Sequence, residues 1–154
     1  LKVSGPWICS SYFKLDGSSA HEEDGWFETG DVATIDSRGN VSITDRTKDV
    51  IKSGGEWISS IEIENCATGH PQVAEAAVIG RNHPKWGERP LLIIVKSGED
   101  DVPPDELKGY LDGKIAKWWM PDDVQFIDEM PHTATGKIQK MKLREMFDNY
   151  QFPA

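Results

Sequence analysis

Cysteine and histidine are scarce in this sequence of 154 residues, and neither has the spacing of a metal site. The two cysteines, Cys9 and Cys66, lie far apart, and the four histidines are equally scattered. We therefore expect no metal site within the sequence. So little cysteine is typical of a reduced, intracellular protein, which predicts a cytoplasmic location.

The sequence also lacks a long apolar run and an excess of basic residues. No apolar run approaches the ~20 residues that cross a membrane, and the N-terminus has no signal-peptide pattern. The net charge of −9 argues against a broad surface for nucleic acid or anionic lipid. A local phosphate site stays open in the last third, where four basic residues lie close together: Lys137, Lys140, Lys142 and Arg144.

An initiator methionine is absent too, and the sequence opens in the middle of a pattern, Leu-Lys-Val-Ser-Gly. We therefore expect a piece of a longer polypeptide. Its hydrophobic fraction of 38% and charged fraction of 28% fit a folded globular chain rather than a disordered one. No internal repeat or low-complexity tract occurs.

The first third of the sequence predicts β-structure. Residues 1–24 give a short strand and a Ser/Gly/Asp-rich connection, and residues 25–45 give two strands around the turn Ser-Arg-Gly-Asn. The charged cluster at residues 45–49 contains no apolar side chain, which indicates a junction between two packed units. A second hairpin follows at residues 50–58, with Gly54 and Gly55 at its turn.

The remainder mixes helices and strands, which predicts a small α+β domain from about residue 49 onward. Ser59 and Glu62 indicate the start of a helix that ends at Gly69. Apolar runs predict strands, and periodic patterns predict two further helices. The strands are expected at residues 73–80, 91–96 and 124–127, and the helices at residues 140–150 and from Pro103 through Leu107, Leu111, Ile115 and Trp118.

Four positions could carry chemistry, and each has an ordinary structural alternative. Asp31 follows a Gly turn and could accept hydrogen bonds from ribose hydroxyls, or be a plain turn residue. Arg46 offers a fork of donors for sugar or phosphate, or belongs to a solvated linker. The Gly54-Gly55 turn beside Trp57 could admit a ligand close to the backbone, or be a simple hairpin.

The fourth position is Lys137, in the turn Thr-Ala-Thr-Gly-Lys. Gly136 gives that turn backbone freedom and leaves the lysine ammonium unobstructed. Such a lysine suits a compact positive charge delivered to a phosphate or carboxylate. The alternative is an exposed lysine on an ordinary turn.

Three motifs in order resemble a known family. They are Gly-Trp-Phe-Glu-Thr-Gly-Asp at residues 25–31, Asp-Arg-Thr-Lys-Asp-Val-Ile-Lys-Ser-Gly-Gly-Glu-Trp-Ile at residues 45–58, and Pro-His-Thr-Ala-Thr-Gly-Lys-Ile at residues 131–138. The chain is similar to the C-terminal part of the adenylate-forming enzymes, which include acyl-CoA synthetases, luciferases and the adenylation domains of peptide synthetases. Residues 53–58 and 116–121 look most like medium-chain acyl-CoA synthetases and methylmercaptopropionate-CoA ligases.

The resemblance implies a domain organisation. Residues 1–47 would be the β-rich tail of a large N-terminal domain. Residues 48–154 would be a small mobile C-terminal lid domain, with a β-hairpin and a short mixed sheet with helices. The hinge would lie near Lys48, where many relatives have aspartate. The Ser/Thr/Gly-rich phosphate loop of the family is not in the sequence, so the chain alone should not catalyse the full reaction.

The resemblance also implies site residues. Asp31 and Arg46 match residues that bind ATP, and Lys137 matches the catalytic lysine that reaches the acyl carboxylate and the α-phosphate. The matching CoA-binding residues form a larger group: Lys52, Gly54, Gly55, Glu56, Trp57 and Trp86.

The implied reaction is a two-step ATP-dependent ligation of a short- or medium-chain fatty acid to CoA, through an acyl adenylate. ATP, CoA and Mg²⁺ would take part, with the Mg²⁺ ligands outside this sequence. The partners would be a carboxylic acid and the N-terminal domain, and any homo-oligomer would form through that missing domain. Two alternatives stay open: an adenylation domain that loads a carrier-protein thiol, and a non-catalytic module that binds nucleotide or CoA.

Overall fold

The computed structural model describes residues 1–11, 21, 25–99 and 102–153. The chain divides into two compact units, Leu1–Lys48 and Asp49–Ala154, called here unit 1 and unit 2. Most of the predicted Ser/Gly/Asp-rich connection lies outside the described residues. The expected domain boundary between residues 47 and 48, and its role as a hinge, stay predictions.

Unit 1 contains two small antiparallel sheets of two strands each. Strands β1 (Lys2–Val3) and β2 (Phe27–Glu28) form the first, and β3 (Asp31–Ile35) and β4 (Val41–Arg46) form the second. These strands confirm the pattern predicted for the first third of the sequence.

The turn between β3 and β4 is held by Asp36. Its carboxylate accepts hydrogen bonds from the backbone N–H groups of Arg38 and Asn40 and from the Asn40 side chain. The hydrogen bond from the Asn40 amide is the main reason that the pKa of Asp36 lies below its usual range. The predicted Ser-Arg-Gly-Asn turn is confirmed, and an acid just before it supplies the cap.

The charged cluster at residues 45–49 is not a solvated linker throughout. Asp45 and Arg46 end strand β4, and Asp45 is only 1% exposed. Its carboxylate accepts the backbone N–H of Arg46 at 2.7 Å. Strand β4 thus extends into the charged cluster, because pairing with β3 satisfies the backbone groups of these two residues, and the division between the two units falls at the end of the cluster.

Unit 2 is built on a five-stranded mixed sheet. Strand β8 is its centre: β7 pairs antiparallel along one edge, and β5 and parallel β9 pair with the other. The strands are β5 (Ile51–Ser53), β6 (Glu56–Ile58), β7 (Val73–His83), β8 (Gly87–Lys96) and β9 (Asp123–Phe126). Strands β7 and β8 are longer than predicted, because their polar residues 81–83 and 87–89 still pair with each other.

Apolar residues cover both faces of this sheet, which explains why residues 91–94 are all fully buried. Leu92 and Ile94 face helices α1 (Ser60–Thr68) and α2 (Pro104–Leu111). Leu91 and Ile93 pack with residues of α3 (Lys140–Met146) and the segment before it. The result is a three-layer arrangement of helices, sheet and helix.

The ends of two helices differ from the prediction. Helix α1 begins and ends as predicted, and the Ser59 side chain accepts the N–H of Glu62. Helix α2 stops at Leu111 although the apolar spacing continues, because Gly113 takes a left-handed conformation with φ of +75°. A short 3₁₀ turn, Lys117–Trp119, follows separately.

Helix α3 ends at Met146 rather than near Tyr150. The guanidinium of Arg81, on β7, donates to the carbonyls of Arg144 and Asp148 and so occupies acceptors at the helix end. Phe147, Tyr150 and Phe152 then pack against the sheet as an irregular tail.

The predicted fold class is confirmed, since three helices and a mixed sheet form the small C-terminal domain and β-hairpins precede it. Within the described residues, no helix has the length and apolar character needed to cross a bilayer.

Candidate functional site

In unit 1 the structure brings Asp31 and Arg46 together. They are directly opposite each other on β3 and β4, and Arg46 Nε lies 3.3 Å from Asp31 Oδ1. The Asp31 side chain is 17% exposed and that of Arg46 is 55% exposed. A positioned carboxylate beside a guanidinium that remains accessible to solvent could receive a polyhydroxylated ligand such as a ribose.

In unit 2, Lys137 lies at the tip of a tight loop. The N–H of Thr133 donates to the carbonyl of Lys137 at 2.8 Å, and the Thr133 hydroxyl accepts the N–H of Lys137 at 3.2 Å. Gly136 has φ of +78°, the left-handed conformation that the turn requires. Lys137 is exposed, and its ammonium has no partner among the described residues. The loop therefore presents a free cation on a constrained backbone.

Polar contacts hold both ends of this loop to the rest of unit 2. At one end, His132 Nε2 lies 2.7 Å from Glu75 Oε2 on β7. At the other end, Lys140 Nζ forms an ion pair with Glu64 Oε1 on α1 at 2.7 Å and donates to the Ser60 hydroxyl. The loop tip therefore lies between two fixed ends.

The same contacts correct the expectation of a basic cluster. Lys140 is paired with Glu64, and Arg144 lies 2.6 Å from Asp49. Two of the four basic residues are therefore neutralised by carboxylates, and they form no phosphate site with Lys137. Lys142 is exposed on α3.

The Gly54-Gly55 turn is a two-residue hairpin turn between β5 and β6. Both glycines have positive φ, +58° and +90°, as a hairpin of this length favours. Gly54 also packs on Trp86: its N–H donates to the Trp86 carbonyl at 2.8 Å, and an added Cβ would lie 2.9 Å from the indole ring. Gly55 has open space around it.

A cavity of about 300 Å³ opens beside this turn. Trp86 and Trp118 supply apolar wall, and their side chains are 43% and 56% exposed. The remaining lining residues are Ser53, Gly54, Glu56, Arg89 and Asp122. Among the predicted CoA-binding residues, the structure places Gly54, Glu56 and Trp86 at this cavity.

Lys52 and Trp57 point elsewhere. They are cross-strand partners, and Lys52 Nζ lies 5.3 Å from the centre of the Trp57 ring. Their neighbours along each strand, Ser53 and Glu56, line the cavity, and side chains alternate between the faces of a strand. The structure therefore separates these two residues from Gly54 and Trp86.

Two charged cavity residues, Arg89 and Asp122, were not predicted from the sequence. The available signal was Arg89 itself, since a charge beside the buried run 91–94 must be satisfied by partners. Trp118, predicted as part of a helix, lines the cavity, whereas its neighbour Trp119 packs against the core.

Comparison with known proteins decides the family. The family model for the AMP-binding enzyme C-terminal domain matches residues 62–137, which include most of α1, the strands β7, β8 and β9, and Lys137. The chain carries an AMP-binding enzyme C-terminal domain. The predicted resemblance to adenylate-forming enzymes is thereby confirmed.

Curated relatives of this AMP-binding enzyme domain are CoA ligases. A 3-methylmercaptopropionyl-CoA ligase of Ruegeria lacuscaerulensis is 56% identical over 147 residues, which cover 96% of this chain and 27% of that protein. A medium-chain-fatty-acid–CoA ligase of Ectopseudomonas oleovorans is 50% identical with the same coverage. The chain spans about a quarter of the length of these relatives.

A solved structure shows the same fold. The o-succinylbenzoate CoA synthetase of Bacillus subtilis, in complex with its acyl-adenylate intermediate, matches with a TM-score of 0.84 and 35% identity. The match covers 93% of this chain and 29% of the synthetase.

Proposed function

We propose that this chain is the C-terminal part of an ATP-dependent acyl-CoA ligase that activates a short- or medium-chain carboxylic acid. The observation that carries the proposal is the constrained loop that presents the unpaired ammonium of Lys137 in a domain of the AMP-binding enzyme family. The names of the relatives support the class of reaction and the range of acids.

In the first step, the acid carboxylate attacks the α-phosphate of ATP and pyrophosphate leaves. The work required of this chain is charge neutralisation and positioning, and the exposed ammonium of Lys137 suits both. Asp31 would bind the ribose hydroxyls, with Arg46 beside it. Mg²⁺ would neutralise the phosphates when bound; within the described residues no group of three His, Cys, Asp or Glu could hold a metal ion, so we assign no ligand to it here.

In the second step, the CoA thiol attacks the acyl carbon and AMP leaves. We propose that the cavity beside Gly54 receives part of CoA, since it offers two indole walls next to a side-chain-free backbone. Gly55 would lie at its approach, whereas Lys52 and Trp57, on the other face of the hairpin, would not line it. The Lys137 loop would act in the first step and this cavity in the second. Two surfaces used in different steps suit a lid that presents each of them in turn.

Unit 1 supports the proposal that a larger domain belongs with this chain. Its β3–β4 ribbon carries apolar side chains on one face: Ile35 is 64% exposed, Val41 is 51% exposed and Ile43 is 55% exposed. A two-stranded ribbon is marginally stable alone. We propose that this face packs against the N-terminal domain of the ligase, and that the enzyme acts in the cytoplasm.

The test is ATP–pyrophosphate exchange by the full-length enzyme over a panel of carboxylic acids, with the Lys137→Ala variant alongside. We expect exchange with short- or medium-chain acids and a loss of at least ~100-fold in the variant, as when one charge-stabilising donor is removed. Formation of acyl-CoA from preformed acyl adenylate should survive.

Lys142→Ala is the matched control, because Lys142 is an equally exposed lysine five residues away on α3. It should exchange pyrophosphate like the unaltered enzyme. Absence of exchange with every acid, or full activity of Lys137→Ala, would overturn the proposal in favour of a binding module.

A further inference from the structure

One guanidinium makes four hydrogen bonds and an ion pair at the edge of the cavity. Arg89 Nε donates to Asp122 Oδ1 at 2.8 Å, and Nη2 lies 2.7 Å from the same oxygen as an ion pair. Nη2 also donates to the Met120 carbonyl at 2.9 Å. Nη1 donates to the Ser53 hydroxyl at 3.1 Å and the Trp118 carbonyl at 2.9 Å. Four of the five N–H donors of an arginine are therefore engaged, and the charge is paired with Asp122.

These five contacts join two walls of the cavity that are distant in sequence. Ser53 is the last residue of β5 and directly precedes Gly54. The carbonyls of Trp118 and Met120, together with Asp122, belong to the segment that presents the Trp118 indole. Arg89 lies between them on β8, and its side chain is only 13% exposed.

Each wall also has its own contact with β8. Ser53 pairs with Gly87, and the N–H of Asp122 donates to the Pro90 carbonyl at 3.1 Å. Trp118 lies in the short 3₁₀ turn that follows the end of α2, and the Lys108 ammonium donates to the Asp122 carbonyl at 2.7 Å, which ties the segment to α2. Among these contacts, only those of Arg89 reach both walls, so we expect the spacing between the Gly54 turn and Trp118 to depend on it.

We propose that Arg89 is a positioning residue for the thioester-forming step. By tying Ser53 to residues 118–122, Arg89 sets the width of the cavity beside Gly54. The inference rests on the proposed function, because it takes CoA as the occupant of the cavity. Four of its five donors are bonded to the walls and its charge is paired with Asp122, so Arg89 acts through the walls. Lysine cannot replace it, because a single ammonium with three donors cannot reach acceptors on both sides.

The experiment separates the two half-reactions in the full-length enzyme. Arg89→Lys and Arg89→Met are compared with the unaltered enzyme for ATP–pyrophosphate exchange and for acyl-CoA formation from preformed acyl adenylate. We expect exchange to stay within about twofold, while kcat/KM for CoA falls by roughly tenfold or more, because misplaced walls impair orientation of the thiol. Most of the loss should lie in the KM for CoA.

Two further variants guard against a simple folding defect. Trp118→Ala removes an exposed wall and leaves the Arg89 contacts to backbone, so it should reproduce the rise in KM for CoA in a fully folded enzyme. Arg38→Met, at an arginine that is 84% exposed in the β3–β4 turn, is the matched control and should change neither half-reaction.

Low concentrations of guanidinium ion should partly restore thioester formation in a third variant, Arg89→Ala.

The results distinguish failure of the Arg89 role from failure of the proposed ligase activity. Equal loss of both half-reactions, or normal KM for CoA in Arg89→Met and Trp118→Ala, would overturn the positioning role and leave the proposed ligase activity intact. Failure of the unaltered enzyme to carry out either half-reaction would overturn the proposed function and this inference with it.

Discussion

At the residue scale, the two glycines of the β5–β6 turn have different requirements. Both have positive φ, so any other residue there is strained by roughly 1–2 kcal/mol. Gly55 requires nothing more, because its surroundings are open. Gly54 also needs the absence of a side chain, since Trp86 occupies the place of its Cβ. Only Gly54 therefore couples the turn to the cavity wall.

Gly54→Ala should destabilise the chain more than Gly55→Ala. The backbone strain at Gly55 is at least as large, because its φ of +90° lies farther from the left-handed minimum. Any excess at Gly54 must come from the contact with Trp86, which we expect to add about 1–3 kcal/mol of overpacking. Urea denaturation followed by circular dichroism measures the difference. Equal destabilisation by both variants would show that the indole moves aside freely.

A residue could be singled out from the sequence when its contacts are with residues nearby in the chain. Lys137, Gly54 and Asp31 could be singled out from sequence because a turn and its neighbouring residues define their setting. The partners of Arg89 could not be predicted, since Ser53 and Asp122 are 36 and 33 residues away. The role of each singled-out residue stays a prediction, although the structure places Asp31 beside Arg46 and Gly54 beside Trp86.

At the element scale, the strands of the sheet were predictable and the helix ends were not. The run at residues 91–94 was predicted as part of a strand, and the apolar cores on both faces of the sheet explain why it is apolar throughout. Helix α2 ends where Gly113 adopts positive φ, which the apolar spacing does not reveal. Helix α3 ends where Arg81 reaches its carbonyls from another element. A local glycine conformation therefore ends α2, whereas a tertiary contact outweighs local propensity at the end of α3.

The tail after α3 is fastened to the sheet by Tyr150, whose hydroxyl donates to Asp123 Oδ2 on β9. Burial tends to raise the pKa of the Asp123 carboxyl, but hydrogen bonds from Tyr150 and Gln125 outweigh it and hold that pKa below the usual range. Burial, and then the hydrogen bond to Asp123, raise the pKa of Tyr150 well above its ordinary value. The tail is thus secured best when Asp123 is ionised and Tyr150 is protonated.

Tyr150→Phe should lower the free energy of unfolding by about 1 kcal/mol at pH 7, because it removes the hydroxyl and keeps the ring. Because the pKa of Asp123 is lower in the folded chain than in the unfolded chain, its ionised form stabilises the fold at pH values above the unfolded pKa, and this stabilisation is lost as the pH falls. The difference in free energy of unfolding between Tyr150→Phe and the unaltered chain should therefore narrow below about pH 4. Denaturation at a series of pH values measures it. Tyr110→Phe is the control, since Tyr110 donates to the neutral carbonyl of Gly69 and its effect should not vary over this range. A Tyr150→Phe effect that stays constant to pH 3 would contradict the role of Asp123.

At the scale of the whole molecule, the two proposed half-reactions use separate parts of unit 2. Ile138, next to Lys137, packs with the core on the α3 face of the sheet, whereas Trp119, next to Trp118, packs with the core on the α1–α2 face. The Lys137 loop contributes no residue to the cavity lining, so each proposed step can use a surface of its own. Separate surfaces for the two proposed steps suit a domain that turns between them.

Lys48 is the proposed pivot, since it is the last residue before unit 2 and is exposed. Lys48→Pro fixes φ near −65° and removes an N–H, so it should restrict rotation without touching either site. In the full-length enzyme we expect acyl-CoA formation from preformed acyl adenylate to fall at least ~10-fold more than ATP–pyrophosphate exchange, because adenylation needs only one orientation. Lys48→Ala keeps the backbone freedom and should preserve both half-reactions. Equal loss of the two half-reactions in Lys48→Pro would place the pivot elsewhere in the chain.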